Sequence, residues 1–418
     1  MEAHKQLTIG VFGFGVVGEG LYKVLQQTPS LNARIKKVCV RHPDKKRNAP
    51  AALFTTDKDD ILNDPDINVV VEVINDTDAA FDIVTTALRN DKDVVSASKK
   101  MLAENFPELL RLQQETGRSL LYEASACASI PVIRNLEEYY DNDLLHSIRG
   151  IVNGSTNFIL TRIFEDGLDF KLALLQAQQL GFAETDPTLD VEGIDAVNKW
   201  ALLLAHAYGI IEPPEAILHS GIQHIKLTDA QVAREKKFNI RLVAQAQKLS
   251  NGKVAAFVLP QFVSHDEPLS FVRNEYNGMV IESGFADKQF FYGKGAGSFP
   301  TASAVLSDIS ALRYQYRYEY KKRYHHTPLS LTEDCYLRVY LSFDNSVPIP
   351  KESFESVEEW HSGAERKYVI GILPFRELKY KTWWKENHTS LILMPDPVVE
   401  SLELAKLKKI SLELAGIS

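Results

Sequence analysis

The chain begins with a sequence that predicts a strand, a tight turn and a helix in close succession. The apolar run LTIGVF leads directly into the glycine-rich segment GFGVVG, and apolar residues at helical spacing follow. In such a segment the first glycine permits the turn, the second lets a pyrophosphate approach the backbone, and the third lets helix and strand pack closely. The amino end of the helix also favours a phosphate. We therefore predict a dinucleotide-binding site whose candidate contacts are Gly13, Phe14, Gly15, Val16, Val17 and Gly18.

The residues that follow alternate between apolar runs of strand length and helical patterns. The run NVVVEVI at 68–74 is almost entirely apolar, which is typical of a central strand in a parallel sheet covered on both faces. The alternation predicts an α/β fold of the Rossmann type, with a doubly wound parallel sheet. The other predicted elements are strands at about 35–40, 94–97 and 119–122 and helices at about 77–89 and 107–116.

The residue after the second predicted strand bears on cofactor choice. A site for NAD usually has Asp or Glu there to bind the ribose 2′-hydroxyl, whereas this chain has Arg41, followed by Lys45, Lys46 and Arg47. These cations suit a 2′-phosphate and hence NADP. Two alternatives stay open, namely a solvated basic loop and an arginine that fills the phosphate pocket and leaves NAD preferred.

The stretch 181–209 combines an acidic loop with an amphipathic helix that begins near Gly193. Asp195 and Lys199 are four residues apart and share one helix face beside the apolar stripe. Such a loop and helix can hold an amino group and move a proton, although an exposed ion pair gives the same spacing. The loop contributes four carboxylates, which are Glu184, Asp186, Asp190 and Glu192.

Three further segments carry candidate polar groups. Lys99 follows a predicted parallel strand, at the edge where doubly wound sheets bind ligands; a solvated lysine at a helix start is equally compatible with the pattern. The segment NGSTN at 153–157 is rich in donors and turn formers. Small residues dominate 123–133 and let a ligand or an ion approach the backbone.

Composition limits the class of protein. A length of 418 residues suits two or three domains. The net charge of -8 argues against a general nucleic-acid surface. Cys39, Cys127 and Cys335 are widely spaced and odd in number, which favours a reducing compartment over a disulfide framework. No secretion signal and no apolar run of the ~18 residues needed to span a bilayer is evident, so we expect a cytoplasmic protein.

The second half predicts mixed α+β structure. We expect an α+β domain within about 217–290, with an antiparallel sheet and a helix near 234–249. A flexible loop through Gly293, Gly295 and Gly297 should follow, and then a helix from Thr301 to about 316. After about 327 a small α+β appendage is expected, with strands at 337–343 and 368–375 and helices at 352–360 and 398–414. The predicted domains are 1–145 with the returning helix at 298–325, then 146–297, then 327–418.

Taken together, these segments resemble homoserine dehydrogenase over roughly residues 7–325. The matching pieces, in order, are GFGVVG, the lysine after the fourth strand, NGSTN, GFAETDPTLDVEGIDAVNK and YGKGAG with PTASAVLSDI. The resemblance implies that L-homoserine and L-aspartate 4-semialdehyde are interconverted with NAD or NADP, in the synthesis of threonine, methionine and isoleucine. It further implies a homodimer through the sheet of the second domain. From net charge and the lack of a long apolar run we expect no nucleic-acid or membrane partner.

The resemblance also implies roles for individual residues. Lys199 matches the proton-transfer lysine, with Asp195 as its carboxylate partner, and Lys99 matches a second active-site lysine. Glu184 and Asp190 match residues that hold the amino group of the substrate. The remaining matches are Gly154 and Ser155 on the substrate side, Gly181 and Gly297 on the cofactor side, and a monovalent-cation site, for sodium in the family, made by Glu123 with backbone oxygens of Ala126, Ala128 and Ile130.

The chain departs from the family pattern at several places. Residues 126–129 read ACAS where the family has a run like Val-Gly-Gly-Gly, Asn75 and Asp76 stand in place of Gly-Gly, and Ser98 replaces Asn. The tail resembles a degenerate ACT-type regulatory domain, with FDNSVP in place of the usual Asp-x-Pro-Gly turn. A dehydrogenase for a related amino-acid semialdehyde, and a nucleotide-binding regulatory relative without turnover, therefore remain alternatives. Effector binding by the tail and survival of the cation site also stay open.

Overall fold

The computed structural model describes residues 6–142, 144–344, 348–364, 366–386 and 388–402. Two compact units divide the chain. Unit 1 comprises Met1–Asp143, Asn198–Pro214 and Tyr292–Pro328, and unit 2 comprises Leu144–Val197, Glu215–Phe291 and Leu329–Ser418.

The elements alternate in unit 1 and are strand-rich in unit 2. The strands of the described chain are β1 Leu7–Phe12, β2 Ala33–Cys39, β3 Phe54–Thr55, β4 Val69–Glu72, β5 Asp93–Ser96, β6 Leu120–Leu121, β7 Leu145–Ile151, β8 Leu218–His219, β9 Phe238–Lys248, β10 Val254–Ser264, β11 Tyr276–Ser283, β12 Asp287–Lys294, β13 Tyr336–Phe343, β14 Ser356–Ser362, β15 Lys367–Pro374 and β16 Thr389–Val399. The α-helices of the same residues are α1 Val16–Gln26, α2 Asp59–Leu62, α3 Thr77–Arg89, α4 Lys99–Glu104, α5 Phe106–Thr116, α6 Ala124–Cys127, α7 Val132–Arg134, α8 Gly154–Asp166, α9 Phe170–Gln179, α10 Thr188–Val191, α11 Ile194–Tyr208, α12 Leu227–Glu235, α13 Ser298–Leu312 and α14 Phe375–Tyr380.

Unit 1 is built on a parallel sheet with the strand order β3-β2-β1-β4-β5-β6. Its two central strands, β1 and β4, are buried along their whole length, because helices cover both faces of such a sheet. The order is that of the doubly wound nucleotide-binding fold. The prediction of a Rossmann-type α/β domain is therefore confirmed.

Unit 2 is built on a long mixed sheet. The order among the described residues is β12-β11-β7-β9-β10-β16-β13-β15-β14, with β8 beside β10. Most neighbours are antiparallel, whereas β10 and β16 run parallel and pair at Gln261 and Leu393. Side chains from both sides of that junction, such as Phe257, Leu337 and Trp384, share one buried core. The strands after 327 thus continue the sheet of the central segment, a continuity that the sequence patterns did not predict.

Two predicted helices are wrong, and both segments are strands. The helix expected at 234–249 is replaced by the end of α12 and by β9; Lys237, with φ 59°, separates the two. β9 lies between β7 and β10, and this pairing on both sides outweighs local helix propensity. The helix expected at 352–360 is a short 3₁₀ turn followed by β14, which pairs with β15.

Other boundaries differ in smaller ways. Gly293 lies within β12 rather than in a loop, and the glycine-rich turn is confined to 295–297. α13 begins at Ser298, three residues before the predicted start. β16 occupies the start of the helix predicted at 398–414, and the part of that prediction beyond residue 402 lies outside the described residues. Among the helices that the structure describes, none combines the length and apolar character that a bilayer crossing requires.

Candidate functional site

The glycine-rich turn of unit 1 has the geometry of a phosphate-binding loop. Gly13 has φ 100°, and a Cβ there would lie 2.8 Å from the backbone oxygen of Val73. A Cβ on Gly18 would lie 2.3 Å from the oxygen of Gly13, so helix α1 can approach β1 only with glycine at this position. At Gly15 a Cβ would meet nothing within 4 Å. The turn therefore leaves open space over the amino end of α1, where a pyrophosphate fits.

Helix α13 packs against this turn within the same unit. The hydroxyl of Ser298 donates to the backbone oxygen of Val16 at 2.7 Å. A Cβ on Gly20 would lie 2.8 Å from the oxygen of Ser298, so this glycine allows the close packing. Gly297, with φ 121°, immediately precedes the contact. The structure thus places Gly297, a predicted cofactor-side residue, beside the fingerprint, together with Gly20, which sequence reasoning missed.

The predicted 2′-phosphate residue, Arg41, is engaged in an ion pair. Its Nη2 lies 2.9 Å from Oδ2 of Asp76. The other oxygen of Asp76 accepts a hydrogen bond from the amide of Ala79 at 3.1 Å and caps helix α3. The Ala79 amide, and then the Arg41 guanidinium, lower the pKa of Asp76. A carboxylate therefore stands beside the arginine that the sequence assigned to the phosphate.

The remaining basic residues of this loop divide into two groups. The guanidinium of Arg47 donates to backbone oxygens of its own loop, those of His42, Pro43 and Lys45, and lies over the ring of Phe54. The side chains of Lys45 and Lys46 are exposed. Arg47 therefore supports the fold of the loop.

Sequence reasoning missed a buried carboxylate, Glu72, at the end of β4. Its oxygens accept hydrogen bonds from the Ser96 hydroxyl at 2.6 Å, the Ser98 hydroxyl at 2.8 Å and the Ile74 amide at 2.8 Å. Burial raises the pKa of Glu72. Since Ser98 directly precedes Lys99 at the start of α4, Glu72 fixes the turn that presents the lysine. A lone carboxylate within the apolar run NVVVEVI was the signal that could have identified it.

The predicted cation-site residues lie together around a buried acid. The carboxylate of Glu123 accepts hydrogen bonds from the amides of Ile133 and Arg134, at 2.8 and 3.0 Å. Its own amide donates to Asp308, which also binds the Arg134 guanidinium at 2.7 Å. Burial, reinforced by the charge of Asp308, raises the pKa of Glu123 to about 8. Ala126 and Ile130 are buried in the same turn.

Ala128 holds an unusual backbone conformation in this turn, with φ 46° and ψ −102°. The family pattern has a glycine-rich run here, and glycine adopts positive φ without the steric penalty that a Cβ imposes. The next residue, Ser129, donates from its amide and its hydroxyl to the oxygen of Lys294. These two hydrogen bonds hold the turn in which Ala128 has this conformation.

In unit 2 the polar candidates converge on Asn153, which the sequence marked only as part of a donor-rich loop. Its amide nitrogen donates to Oδ1 of Asp190 at 2.7 Å and to Oδ2 of Asp195 at 2.8 Å. Its oxygen accepts from the amide of Thr156 and caps helix α8. One asparagine thus joins the acidic loop to the first turn of α11.

The substrate-side loop and the acidic loop also contact each other. The Ser155 hydroxyl donates to the oxygen of Phe182 at 2.6 Å, next to Gly181, whose φ is 78°. A Cβ on Gly154 would lie 2.6 Å from the oxygen of Glu275, so only glycine fits. The side chain of Glu184 is exposed, and Gln178 holds its backbone oxygen at 3.0 Å.

Helix α11 carries Asp195 and Lys199 one turn apart. Both residues are only 6% exposed, which excludes the alternative of a solvated surface pair. The helix passes from unit 2 into unit 1, where His206 anchors its last turn. The ring of His206 bonds to Glu137 at 2.6 Å and to the Tyr122 hydroxyl at 2.7 Å.

Comparisons with known proteins identify the family of the chain. The family model for homoserine dehydrogenase matches residues 131–310, and the model for the NAD-binding domain of homoserine dehydrogenase matches residues 13–123. The homoserine dehydrogenase of Bacillus subtilis (strain 168) is 37% identical over 317 residues, which cover 74% of this chain and 73% of that protein. The enzyme of the same name from Synechocystis is 37% identical over 72% of each chain.

Solved structures extend the similarity to the tail. A homoserine dehydrogenase from Thiobacillus denitrificans superposes with a TM-score of 0.81 at 27% identity, over 93% of this chain and 98% of that one. A hyperthermophilic archaeal homoserine dehydrogenase in complex with NADPH has a TM-score of 0.63 at 26% identity, over 75% and 99%. These relatives support the main interpretation of the sequence and neither of its alternatives. The chain belongs to the homoserine dehydrogenase family of nicotinamide-dependent oxidoreductases.

Proposed function

We propose that this chain interconverts L-homoserine and L-aspartate 4-semialdehyde. In the oxidative direction the alcohol carbon gives a hydride to the nicotinamide, and the hydroxyl gives up a proton. The observation that carries the proposal is that buried Asn153 joins the partly buried Asp190 to the buried Asp195, with buried Lys199 one turn further along α11. Such a set can bind a cationic amino acid headgroup and exchange a proton beside it.

Asp190 and Glu184 are proposed to bind the ammonium group of the substrate. Asn153 donates a hydrogen bond to Asp190 and holds it in place, and an ionised carboxylate suits an ammonium group because both of its oxygens accept hydrogen bonds. Gly154 and Ser155 form the neighbouring wall. Because a Cβ at Gly154 would strike the backbone of Glu275, the loop position depends on glycine.

Lys199 is proposed to accept the hydroxyl proton, and Asp195 to orient it. Both groups are buried, and charges interact more strongly in a buried site than in solvent. Lys99 is the second proposed lysine, presented by the turn that Glu72 fixes through Ser98. Positioned proton transfer of this type contributes about 10²–10⁴-fold to rate.

The nicotinamide cofactor, when bound, supplies the hydride acceptor. The residues proposed to hold it are the fingerprint turn with Gly13, Gly15 and Gly18, together with Gly181 and Gly297. The open space at Gly15 and the close approach of Ser298 to Val16 support this assignment. Arg41 follows strand β2, where the residue that distinguishes NAD from NADP is found in this fold.

A monovalent cation is proposed beside Glu123, with backbone oxygens of Ala126, Ala128 and Ile130. The fit rests on a buried carboxyl whose pKa is raised to about 8, because a cation would stabilise its charged form. The amides of Ile133 and Arg134 each donate one hydrogen bond to the Glu123 carboxylate, and its remaining lone pairs can bind such an ion.

We also propose a homodimer, a cytoplasmic location, and a role in threonine, methionine and isoleucine synthesis. The dimer is supported by β12, which forms an edge of the described sheet and carries the exposed Phe290, with Phe285 exposed just before it. Exposed apolar side chains on a sheet edge mark a pairing surface. Light scattering after size exclusion should give twice the chain mass, and a monomer at working concentration would contradict the dimer.

The direct test of the proposed activity is the absorbance of reduced nicotinamide, followed with L-homoserine and oxidised cofactor and, in reverse, with L-aspartate 4-semialdehyde. L-Serine and L-threonine serve as alcohol controls. We expect turnover that depends on homoserine. Equal turnover with L-threonine would contradict the substrate assignment.

A further inference from the structure

We infer that Asp76 sets the choice between the two nicotinamide cofactors, and that it favours NAD by holding Arg41 and opposing a phosphate on the adenosine ribose. This inference rests on the proposed function in one respect, namely that the fingerprint turn binds a nicotinamide dinucleotide. It concerns a residue pair that lies wholly within unit 1. It favours NAD among the cofactor preferences that the sequence left open at Arg41.

The sheet order places the two residues on opposite sides of the fingerprint strand. β2 and β4 flank β1; Arg41 follows the carboxyl end of β2, and Asp76 follows that of β4. Ligands of doubly wound sheets bind in the crevice at these carboxyl ends. The ion pair of 2.9 Å therefore spans the crevice edge next to the glycine turn.

Asp76 is fixed in place and charged. One of its oxygens caps α3 through the Ala79 amide, while the other faces the Arg41 guanidinium. Its lowered pKa keeps the group ionised at neutral pH. The arginine is 72% exposed and the aspartate 43%, and exposed pairs of this type contribute little to folding stability. The pair does change the local charge. An arginine alone would carry one positive charge here, whereas the arginine and the aspartate together have a net charge of about zero.

A 2′-phosphate and a 2′-hydroxyl respond differently to this charge. A phosphate that approached Arg41 would also approach the carboxylate of Asp76, whose repulsion offsets the attraction of the guanidinium. A neutral hydroxyl meets no such penalty and can donate to the same carboxylate. Repulsion between a carboxylate and a phosphate a few ångströms apart near a protein surface is sufficient to weaken binding by about tenfold or more.

The other cations of the loop differ from Arg41 as possible ligands of a 2′-phosphate. Arg47 is bound to the carbonyls of its own loop and to Phe54. Lys45 and Lys46 remain exposed, and they are the rival ligands for a 2′-phosphate. If they bind it, substitution at Asp76 will leave the phosphate preference unchanged.

The test is calorimetric titration of the full chain with adenosine 5′-monophosphate and adenosine 2′,5′-bisphosphate, and then with NAD⁺ and NADP⁺. The unchanged chain should bind the monophosphate and NAD⁺ at least as tightly as their 2′-phosphorylated counterparts. Asp76→Asn keeps a helix-capping oxygen and removes the charge; it should tighten the bisphosphate about tenfold or more and leave the monophosphate within about twofold. Asp76→Ser, a second capping residue, should behave in the same way.

Two controls isolate the pair. Asp78→Asn removes an equal charge from the first turn of the same helix and should have at most a small effect. Arg41→Gln combined with Asp76→Asn should lose the gain, because the gain requires the released guanidinium. A wild-type preference of more than about tenfold for the 2′-phosphorylated ligands, or an Asp76→Asn variant without any change in selectivity, would overturn the inference.

Homoserine oxidation, measured in parallel with both cofactors, separates this inference from the proposed function. If homoserine is oxidised and Asp76→Asn leaves nucleotide selectivity unchanged, only the inference fails. If selectivity shifts as expected and homoserine is not oxidised, the inference stands and the proposed substrate fails. Absence of binding by all four nucleotides would contradict both.

Discussion

Asn153 donates a hydrogen bond from its side-chain amide to the buried carboxylate of Asp195, at 2.8 Å. The second hydrogen of the same amide binds Asp190. Two carboxylates with different proposed tasks, binding the ammonium group and orienting Lys199, are therefore held by one neutral residue. This arrangement makes Asn153 the structural link between the two proposed tasks.

Asn153→Asp should impair both tasks. Aspartate retains the cap of α8, but it replaces two donors by a third carboxylate beside Asp190 and Asp195. Loss of charge-assisted hydrogen bonds and the added repulsion should lower kcat/KM for homoserine by about 10–100-fold. Steady-state kinetics measures this effect, with Asn251→Asp as the control, since the exposed side chain of Asn251 accepts a local hydrogen bond from the Lys253 amide. Unchanged kinetics for Asn153→Asp would remove Asn153 from the site.

Ala128→Gly should stabilise the fold. A non-glycine residue in a strained region such as φ 46° costs about 1–3 kcal/mol, whereas the added freedom of glycine in the unfolded chain costs about 0.5–1 kcal/mol. We expect the free energy of unfolding to rise by about 1 kcal/mol, measured by urea denaturation. Ala126→Gly, within the short helix α6, is the matched control and should lower stability. A loss of stability in both variants would show that Ala128 is not strained.

Glu123→Gln should remove a pH dependence from stability. The folded-state pKa of Glu123, about 8, lies above the ordinary value of 4.5, so the native state binds more protons than the unfolded chain between these values. The stabilisation is therefore complete below about 4.5 and is lost as pH rises through about 8, with a slope of up to about 1.4 kcal/mol per pH unit.

Denaturation midpoints between pH 5 and pH 8 measure this slope, with the exposed Glu355→Gln as control. We expect a flatter profile for Glu123→Gln alone. Sodium chloride should flatten the wild-type profile more than potassium chloride does if the proposed cation binds this carboxyl. Parallel profiles for wild type and Glu123→Gln would contradict the raised pKa.

Local signals predicted the first unit well. The fingerprint at Gly13, Gly15 and Gly18 and the apolar strands are encoded over a few adjacent residues, and the structure confirms the parallel sheet that they predict. β9 was assigned wrongly because its apolar residues fit helical spacing, while its strand conformation depends on pairing with β7 and β10. Such long-range pairing leaves no local mark in the sequence.

The same distinction applies to the site. Spacing placed Asp195 and Lys199 one helical turn apart on the same face, but it could not distinguish a buried pair from an exposed one. The pairs Asn153–Asp195 and Arg41–Asp76 join residues 42 and 35 positions apart. Each contact depends on the tertiary fold, that is, on the order of the strands or on the path of a loop beside a helix. A single sequence therefore reveals the residues but not that they are in contact.

The proton-transfer assignment to Lys199 is the central claim, and kcat for homoserine oxidation by Lys199→Met tests it most directly. Methionine keeps an unbranched side chain one atom shorter than lysine and removes the amine. Lys171→Ala, at an exposed position of α9, serves as control. We predict that wild type and the control reduce the cofactor with homoserine, whereas Lys199→Met loses about 10²–10⁴-fold in kcat and keeps its nucleotide affinity within about twofold. Wild-type turnover retained by Lys199→Met, or a wild type that reduces neither NAD⁺ nor NADP⁺ with homoserine, would contradict the account.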